Sequence, residues 1–335
     1  MTDMTASRSG PLTSCALVSG AALIAVTLSV AVAGRPNPLT DAREEMGAVL
    51  VGVPHGVAQL LLAGAGVATL LAVLAVRHAP ASRSRLVTAL CSTAIITLVL
   101  LVDQTVLTVF GYLPMFLVGT VTGTGVDLTV LWSLPLLVQV LALVAGTCVF
   151  LLALRRSRTR YQPHNQIDVH ADARVRTRRW ALIAIEAPLA YALSRVLMAL
   201  EVPGFTAPYF TDELRMTGLM LAAGAAGGAL LTWGLIRPWG ERFPRWMVGL
   251  AGRAVPVNLA VVPAITVAVA VMAASRGMVQ QLLMGADESV WELPLILLPH
   301  LLWPVWSVAL ALAALHYARR RSTVSPTPVP STVQR

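Results

Sequence analysis

Residues 131–160 read LWSLPLLVQVLALVAGTCVFLLALRRSRTR, an uncharged apolar run that ends in a cluster of arginines. About 20 apolar residues, at about 1.5 Å each, cross the hydrocarbon core of a bilayer as a helix. Residues 131–154 reach this length, and arginines directly after such a run are typical of the cytoplasmic side of a membrane. The stretch therefore predicts a transmembrane helix whose carboxyl end faces the cytoplasm.

The composition of the whole chain also indicates an integral membrane protein. Hydrophobic residues make up 56% and charged residues 12% of the 335 residues, whereas a soluble domain has about 25% charged residues. The formal net charge of +9 comes from Arg alone, since the chain has no Lys, and the arginines lie in short clusters between apolar runs. Such clusters are typical of membrane topology, not of a nucleic-acid interface. We therefore expect membrane lipids, and no nucleic acid, among the partners.

Eight apolar runs are long enough to cross a bilayer. Backbone groups in lipid must form hydrogen bonds within the protein, so each run is predicted to be a helix. The first uncharged run, residues 9–34, is longer than the about 7 to 15 apolar residues of a signal peptide, and we expect it to remain as a span. The sequence thus predicts an all-α polytopic membrane protein with eight transmembrane helices. The predicted spans are residues 13–33, 55–76, 86–108, 131–154, 180–200, 217–236, 255–275 and 293–316.

The distribution of arginines predicts the orientation of these spans. With both termini in the cytoplasm, 20 arginines lie in cytoplasmic segments and 4 in external ones, namely Arg35, Arg43, Arg215 and Arg276. An excess of basic residues in cytoplasmic loops is the usual arrangement. We therefore expect a multi-pass protein of the cell (cytoplasmic) membrane with both termini inside.

The two halves of the chain share an internal repeat. Arg77 after the second span corresponds to Arg237 after the sixth, and Trp132 before the fourth span corresponds to Trp291 before the eighth. Two further matches, residues 39–41 with 210–212 and residues 111–119 with 277–285, lie at equivalent topological positions. Because each unit has an even number of spans, both copies enter the membrane from the same side. The sequence predicts two parallel four-helix repeats.

The repeats define four segments of the chain. Residues 1–154 form the first four-helix repeat and residues 180–318 the second. Residues 155–179 between them are polar and strongly basic, and we expect a flexible cytoplasmic linker attracted to anionic headgroups. Residues 319–335 are predicted to be a disordered cytoplasmic tail.

Ionisable residues inside the spans are the first candidates for a functional site, because burying charge in a membrane is costly. Asp103 lies 18 residues beyond Arg85, and Arg195 lies 16 residues beyond Arg179. At about 1.5 Å per residue the two lie about 27 and 24 Å along their helices, at a similar depth. We predict an ion pair between Asp103 and Arg195, with either a structural role or a role in binding or coupling.

Three further residues complete the list of candidate binding or coupling residues. His55 and His300 lie near the outer ends of the second and eighth spans. Glu186 lies 7 residues past Arg179, on the cytoplasmic side. It could bind a proton or substrate, or extend toward the basic surface. No catalytic residue and no metal ligand is predicted.

Two resemblances accompany these observations. His55 and His300, one from each half, resemble the arrangement in haem A synthases, where histidines from both halves ligate haem. The fourth and sixth spans, however, contain no His. The segment RPWGERFPRW, which begins at Arg237 and continues to Pro256, resembles a segment of uncharacterised multi-pass membrane proteins of actinobacteria. That second resemblance implies a membrane protein and no particular activity.

Three classes of function follow from the sequence. Duplicated halves around polar groups favour transporter-like handling of a small molecule or ion. The first alternative is a non-catalytic membrane scaffold or sensor. The second is a membrane enzyme with a bound cofactor, which is less favoured, since HExxH, GxSxG and glycine-rich phosphate motifs are absent. We expect no cofactor, a small molecule or ion is the candidate ligand, and the sequence does not identify a protein partner.

Overall fold

The computed structural model describes residues 10–40, 49–103, 105–107, 109, 120, 132–160, 166–206, 210–284 and 294–322. Within these residues the chain is helical and forms no β-strand, so the all-α prediction is confirmed. The long helices are α1 (Pro11–Val32), α2 (His55–His78), α3 (Ser84–Leu100), α4 (Leu134–Arg160), α5 (Gln166–Ala199), α6 (Asp212–Gly234), α7 (Val257–Met284) and α8 (Trp303–Ser322).

Seven of the described helices are long and apolar enough to cross a membrane. They are α1, α2 and α4 to α8, with the 3₁₀ turn Leu298–Leu302 leading into α8. Each contains an 18-residue window of high mean hydropathy with few charges. The prediction of a polytopic helical membrane protein is therefore confirmed at this level.

The third predicted span, residues 86–108, is interrupted. α3 ends at Leu100, and the backbone leaves the helix before a short helical turn at residues 105–107. Asp103 Oδ1 accepts a hydrogen bond of 2.7 Å from the backbone N–H of Thr105. An Asp side chain that binds an amide two residues ahead competes with the helix and starts a new one. Asp103 thus begins a second helical segment in place of continuing the first.

The long helices pack in two sets that meet along α7. In the first set α1 contacts α2 and α4, and α3 contacts α2 and α4. In the second set α5 contacts α6 and α8, and α8 contacts α7. α7 also packs against α3 and α4, so it joins the two sets.

An apolar groove opens in the second set where α6 and α7 diverge. Its volume is about 420 Å³. Trp239, Phe243 and Trp306 line it together with small and aliphatic residues of both helices. In the first set, by contrast, the neighbouring helices α2 and α3 pack against each other.

The expected flexible linker, residues 155–179, is largely helical. α4 continues to Arg160 and α5 begins at Gln166; residues 161–165 lie outside the described part. Ala173 and Thr177 are buried, and α5 packs along α8, while Asp172 and Arg176 form an i,i+4 ion pair of 2.9 Å on the exposed side. A narrow face of small residues is therefore enough to hold this basic segment against α8.

Arginines bind the carbonyl groups at the end of a neighbouring helix in both sets. Arg156 of α4 donates to the carbonyls of Val76 and Ala79 at the end of α2. Arg320 of α8 donates to the carbonyl of Leu235 at the end of α6, at 3.0 Å. The last carbonyls of a helix have no partner within the helix, and a cation there is favourable. These contacts place the basic ends of the helices together, at what we call the Arg-rich end.

A compact turn, residues 237–256, connects α6 to α7 at the Arg-rich end. Arg242 and Ala254 form an isolated antiparallel bridge within it. The Tyr317 hydroxyl of α8 donates to the Gly240 carbonyl at 2.6 Å, and Arg320 pairs with Glu241 at 2.8 Å. Residues of α8 thereby hold this segment in place.

α1 and α2 approach closely at two glycines. A Cβ atom added to Gly66 would lie 2.6 Å from Ile24 Cγ1 and 2.7 Å from the Gly20 carbonyl oxygen. A Cβ atom added to Gly20 would meet the Gly66 carbonyl at 3.2 Å. Small residues let membrane helices approach in this way, so the contact between the helices depends on Gly66.

We expect Gly66→Ala to destabilise the protein by about 1–3 kcal/mol, because the added methyl group cannot avoid the Gly20 backbone. Gly64→Ala is the matched control, since nothing lies within 4 Å of a Cβ atom there. Thermal unfolding of the two purified variants in detergent tests the prediction. Equal midpoints for both would show that α1 and α2 do not pack this closely.

Candidate functional site

The candidate site lies at the end of the second set opposite the Arg-rich end. Arg195 is on α5, four residues before its end at Ala199. His300 belongs to the 3₁₀ turn Leu298–Leu302, and Trp303 begins α8. Gly218 of α6 leaves room, because a Cβ atom there would lie 2.2 Å from Met198 Cε and 3.7 Å from Arg195 Cδ.

Arg195 contacts the rings of Tyr191 and His300. Its guanidinium carbon lies 4.8 Å from the centroid of the Tyr191 ring, and its Nη2 lies 3.3 Å from His300 Nε2. The His300 ring meets the Tyr191 ring edge to face at 5.3 Å and the Trp303 ring at 4.8 Å. We call Tyr191, Arg195, His300 and Trp303 the Arg195 site.

The contact with Arg195 determines the proton position on His300. A guanidinium group only donates hydrogen bonds, so His300 Nε2 must accept, and the ring is then neutral with its proton on Nδ1. His300 is 5% exposed, so this bond is formed away from water. Among the described residues, the positive charge of Arg195 is therefore met by a neutral acceptor and by the face of an aromatic ring.

Arg195 has no carboxylate within 4 Å in the part of the chain that the structure describes. Its Nε is buried without a hydrogen-bond acceptor, as is the indole Nε1 of Trp303. Arg215, on α6, differs in that it pairs with Glu201 and with Asp212. Arg195 is thus a half-buried cation in an apolar helix. No carboxylate among the described residues balances its positive charge.

Asp103 lies in a different contact, which joins the two sets of helices. Arg276, at the end of the α7 span, donates to the carbonyls of Leu100 and Val102 at 3.1 and 3.2 Å. These are carbonyls that α3 leaves open where it stops. The backbone N–H of Asp103 donates to Gln139 Oε1 of α4 at 3.1 Å. Arg276 therefore stabilises the interruption of α3.

The predicted ion pair between Asp103 and Arg195 is not formed. Asp103 caps the turn at residues 105–107 and Arg195 contacts His300 and Tyr191. The reason is the arrangement of the helices, since α5 packs on α6 and α8 whereas α7 packs on α3. A similar depth along two helices does not make them neighbours.

The other two sequence candidates lie apart from Arg195. His55 begins α2, where its Nδ1 lies 2.7 Å from Thr40 Oγ1. Glu186 is exposed on α5, and no described residue pairs with it. Of the five candidates, only Arg195 and His300 are brought together. The choice between ligand binding and extension toward the surface remains a prediction for Glu186.

Sequence reasoning missed Arg276 and Gln139. Arg276 directly follows the predicted span 255–275 and was therefore assigned to an external loop. Gln139 is a fully buried amide in an otherwise apolar stretch of α4. A single polar residue in such a run was the available signal for Gln139. The contacts of Arg276 with residues about 175 positions away left no signal in the sequence pattern.

Comparison with the models of known protein families, with curated proteins and with solved structures finds no match to this chain. In the part of the chain that the structure describes, no group of three or more His, Cys, Asp or Glu residues could hold a metal ion.

Proposed function

We propose that the protein binds a small anion at the Arg195 site and handles it as a transporter-like protein of the cytoplasmic membrane, with both termini inside. The main observation in favour of this proposal is that no described carboxylate balances the positive charge of Arg195. Ionisable groups in membrane helices are costly and commonly mark the path of a substrate. A bound anion would supply the missing counter-charge.

The chemistry of the site favours a small anion over a cation. Arg195 offers guanidinium donors, and His300 must remain neutral to accept from it. Tyr191 and Trp303 provide an apolar boundary that strengthens the attraction between guanidinium and anion by lowering the local dielectric. A cation would be repelled by Arg195 and would find no described carboxylate there.

We also propose that the two sets of helices are parallel repeats, each with four spans. Two contacts support the duplication. Arg156 of α4 binds carbonyls at the end of α2, and Arg320 of α8 binds the carbonyl of Leu235 just after α6. These helices correspond under the repeat found in the sequence. Duplicated halves that meet near polar groups are common in transporters, which is an argument by analogy of fold. Trp291 lies outside the described residues.

A membrane sensor that binds the same anion is the second candidate. The observation in its favour is an apolar layer between the Arg195 site and the Arg-rich end. Ala184, Ala268 and Val271 are buried there in one cluster and Ile265 in the next. A transporter must open this layer, whereas a sensor does not.

Binding and flux measurements separate the candidates. We expect sodium chloride, acetate or phosphate, at constant ionic strength set with gluconate, to raise the midpoint of thermal unfolding of the detergent-purified protein. The expected rise is about 2–4 °C for each kcal/mol of linked binding free energy. Arg195→Gln should abolish this rise, while Arg35→Gln, which changes an exposed arginine, should retain it.

Flux of the anion that stabilises the protein is then measured in proteoliposomes with the same two variants. Flux that Arg195→Gln abolishes supports a transporter, and binding without flux supports a sensor. If none of the three anions stabilises the protein, or if Arg195→Gln responds as the unaltered chain does, the anion site is wrong.

A further inference from the structure

A basic cavity of about 460 Å³ opens at the Arg-rich end of the second set of helices. It lies between the first half of α5, the end of α6 and the end of α8. Four arginines line this cavity: Arg174 and Arg178 from α5, Arg237 just after α6, and Arg320 from α8. The cavity is separate from the Arg195 site, which is at the opposite end of α5.

The cavity carries a net positive charge. Arg320 is compensated, since its Nη2 pairs with Glu241 Oε1 at 2.8 Å. Arg174, Arg178 and Arg237 form no ion pair with a carboxylate among the described residues. Three guanidinium groups around one opening favour an anionic group with several acceptor oxygens, such as a phosphate diester or monoester.

The cavity is also apolar on one side. Val175, Leu182, Trp233 and Ile236 complete its lining. Leu182 is 43% exposed, although it lies in the apolar part of a helix that is long and apolar enough to cross a membrane. Apolar residues that are exposed at such a position face lipid or a lipid-like ligand.

The charged and apolar parts are ordered along the helix axis. Arg174, Arg178 and Leu182 follow each other at intervals of four residues on one face of α5, over about 12 Å. Arg237 lies over the Trp233 ring, with its guanidinium carbon 4.4 Å from the centroid. Charge therefore gives way to apolar surface in the direction from the water toward the membrane interior. Headgroup and acyl chains of a phospholipid follow the same order.

We propose that this cavity binds one anionic glycerophospholipid of the adjoining leaflet. Its phosphate lies between Arg174, Arg178 and Arg237, and the first part of its acyl chains lies against Leu182 and Trp233. Basic pockets at the ends of membrane helices recognise lipid headgroups in this way. Free inorganic phosphate is also an anion with several acceptor oxygens but would leave the apolar side uncovered, so the charge and the apolar lining together select a lipid.

Lipid binding to the full chain tests this proposal. The detergent-purified protein is titrated with phosphatidylglycerol, with phosphatidylcholine and with inorganic phosphate, and retained lipid is counted by native mass spectrometry. The cavity variant is Arg174→Gln, Arg178→Gln and Arg237→Gln together. The control variant is Arg83→Gln, Arg85→Gln and Arg253→Gln together, which removes the same charge from exposed arginines.

We expect the unaltered chain to retain one phosphatidylglycerol at least tenfold more tightly than phosphatidylcholine. The cavity variant should lose this tenfold preference and the control variant should keep it within twofold. An equal loss of the phosphatidylglycerol preference in both variants would show that the lipid is attracted by surface charge in general, and would overturn the proposal. Phosphate that competes as well as phosphatidylglycerol would overturn the lipid assignment.

A second variant keeps the test independent of folding. Leu182→Asn retains all four arginines and changes only the apolar lining, and it should weaken phosphatidylglycerol retention at least threefold with no change for inorganic phosphate. If Leu182→Asn binds phosphatidylglycerol as the unaltered chain does, the acyl chains do not lie in the cavity and the proposal is wrong.

Discussion

Replacing Arg276 with methionine is expected to lower the midpoint of thermal unfolding by about 6–12 °C, which corresponds to about 3 kcal/mol. Methionine fills a similar volume but donates no hydrogen bond. The carbonyls of Leu100 and Val102, which Arg276 binds at 3.1 and 3.2 Å, would lose this partner. An unsatisfied carbonyl costs more in a membrane protein than at a wet surface, because lipid cannot replace the bond.

The expected loss is specific to the position of Arg276. Arg35→Met removes the same charge from an exposed residue and should change the midpoint by less than about 2 °C. Arg276→Lys keeps the charge, but its ammonium group lies on a shorter side chain than Arg276 Nη2, which donates both bonds, so we expect an intermediate midpoint. Circular dichroism of the three purified variants provides the measurement. A midpoint for Arg276→Met equal to that for Arg35→Met would show that α7 does not hold the end of α3.

The positions of most spans could be predicted because hydrophobic length is a local property of the chain. Residues 13–33 and 55–76 were predicted, and the helices are Pro11–Val32 and His55–His78. The predicted span 131–154 corresponds to Leu134–Arg160, which continues through the arginines. A helix is held by hydrogen bonds between backbone groups, which charged residues can also form. A cluster of charged residues therefore marks the edge of the membrane, but the helix can continue beyond it.

The interruption of α3 could not be predicted from the hydrophobic pattern. Residues 86–108 are apolar apart from a few polar groups, and one of these, Asp103, competes for the backbone amide of Thr105. Such competition succeeds only when the carbonyls that the helix releases find another partner. That partner is Arg276, which is 174 residues away from Val102 in the sequence. The local signal was present, but its outcome was decided by a distant residue.

The Arg195 site shows the same limit. Counting residues from the arginine clusters predicts a similar depth in the membrane for Arg195 and Asp103. Both are then expected near the end of the bundle opposite the Arg-rich end. Which helices are neighbours is decided by packing, and α5 lies against α6 and α8. The prediction therefore brought His300 to the correct end but chose the wrong partner for Arg195.

Gly240 is where the structure predicts the other large effect. The turn at residues 238–240 follows α6 so closely that a Cβ atom on Gly240 would lie 1.9 Å from the Gly234 carbonyl oxygen and 2.7 Å from its carbon. These are backbone atoms, so no side-chain rotation can relieve the clash. Two contacts depend on the turn, namely the Tyr317 hydroxyl on the Gly240 carbonyl and the ion pair of Arg320 with Glu241.

We expect Gly240→Ala to destabilise the protein by about 3 kcal/mol, since the turn must open and both contacts with α8 are then lost or weakened. Gly228→Ala on α6 is the matched control, because nothing lies within 4 Å of a Cβ atom there. Tyr317→Phe removes only the hydroxyl bond and should cost about 1 kcal/mol. Thermal unfolding should therefore rank the variants with Gly240→Ala lowest, Tyr317→Phe between and Gly228→Ala near the unaltered chain. If Gly240→Ala and Gly228→Ala have the same midpoint of unfolding, the chain after α6 does not turn back at Gly240, and α8 does not hold the turn.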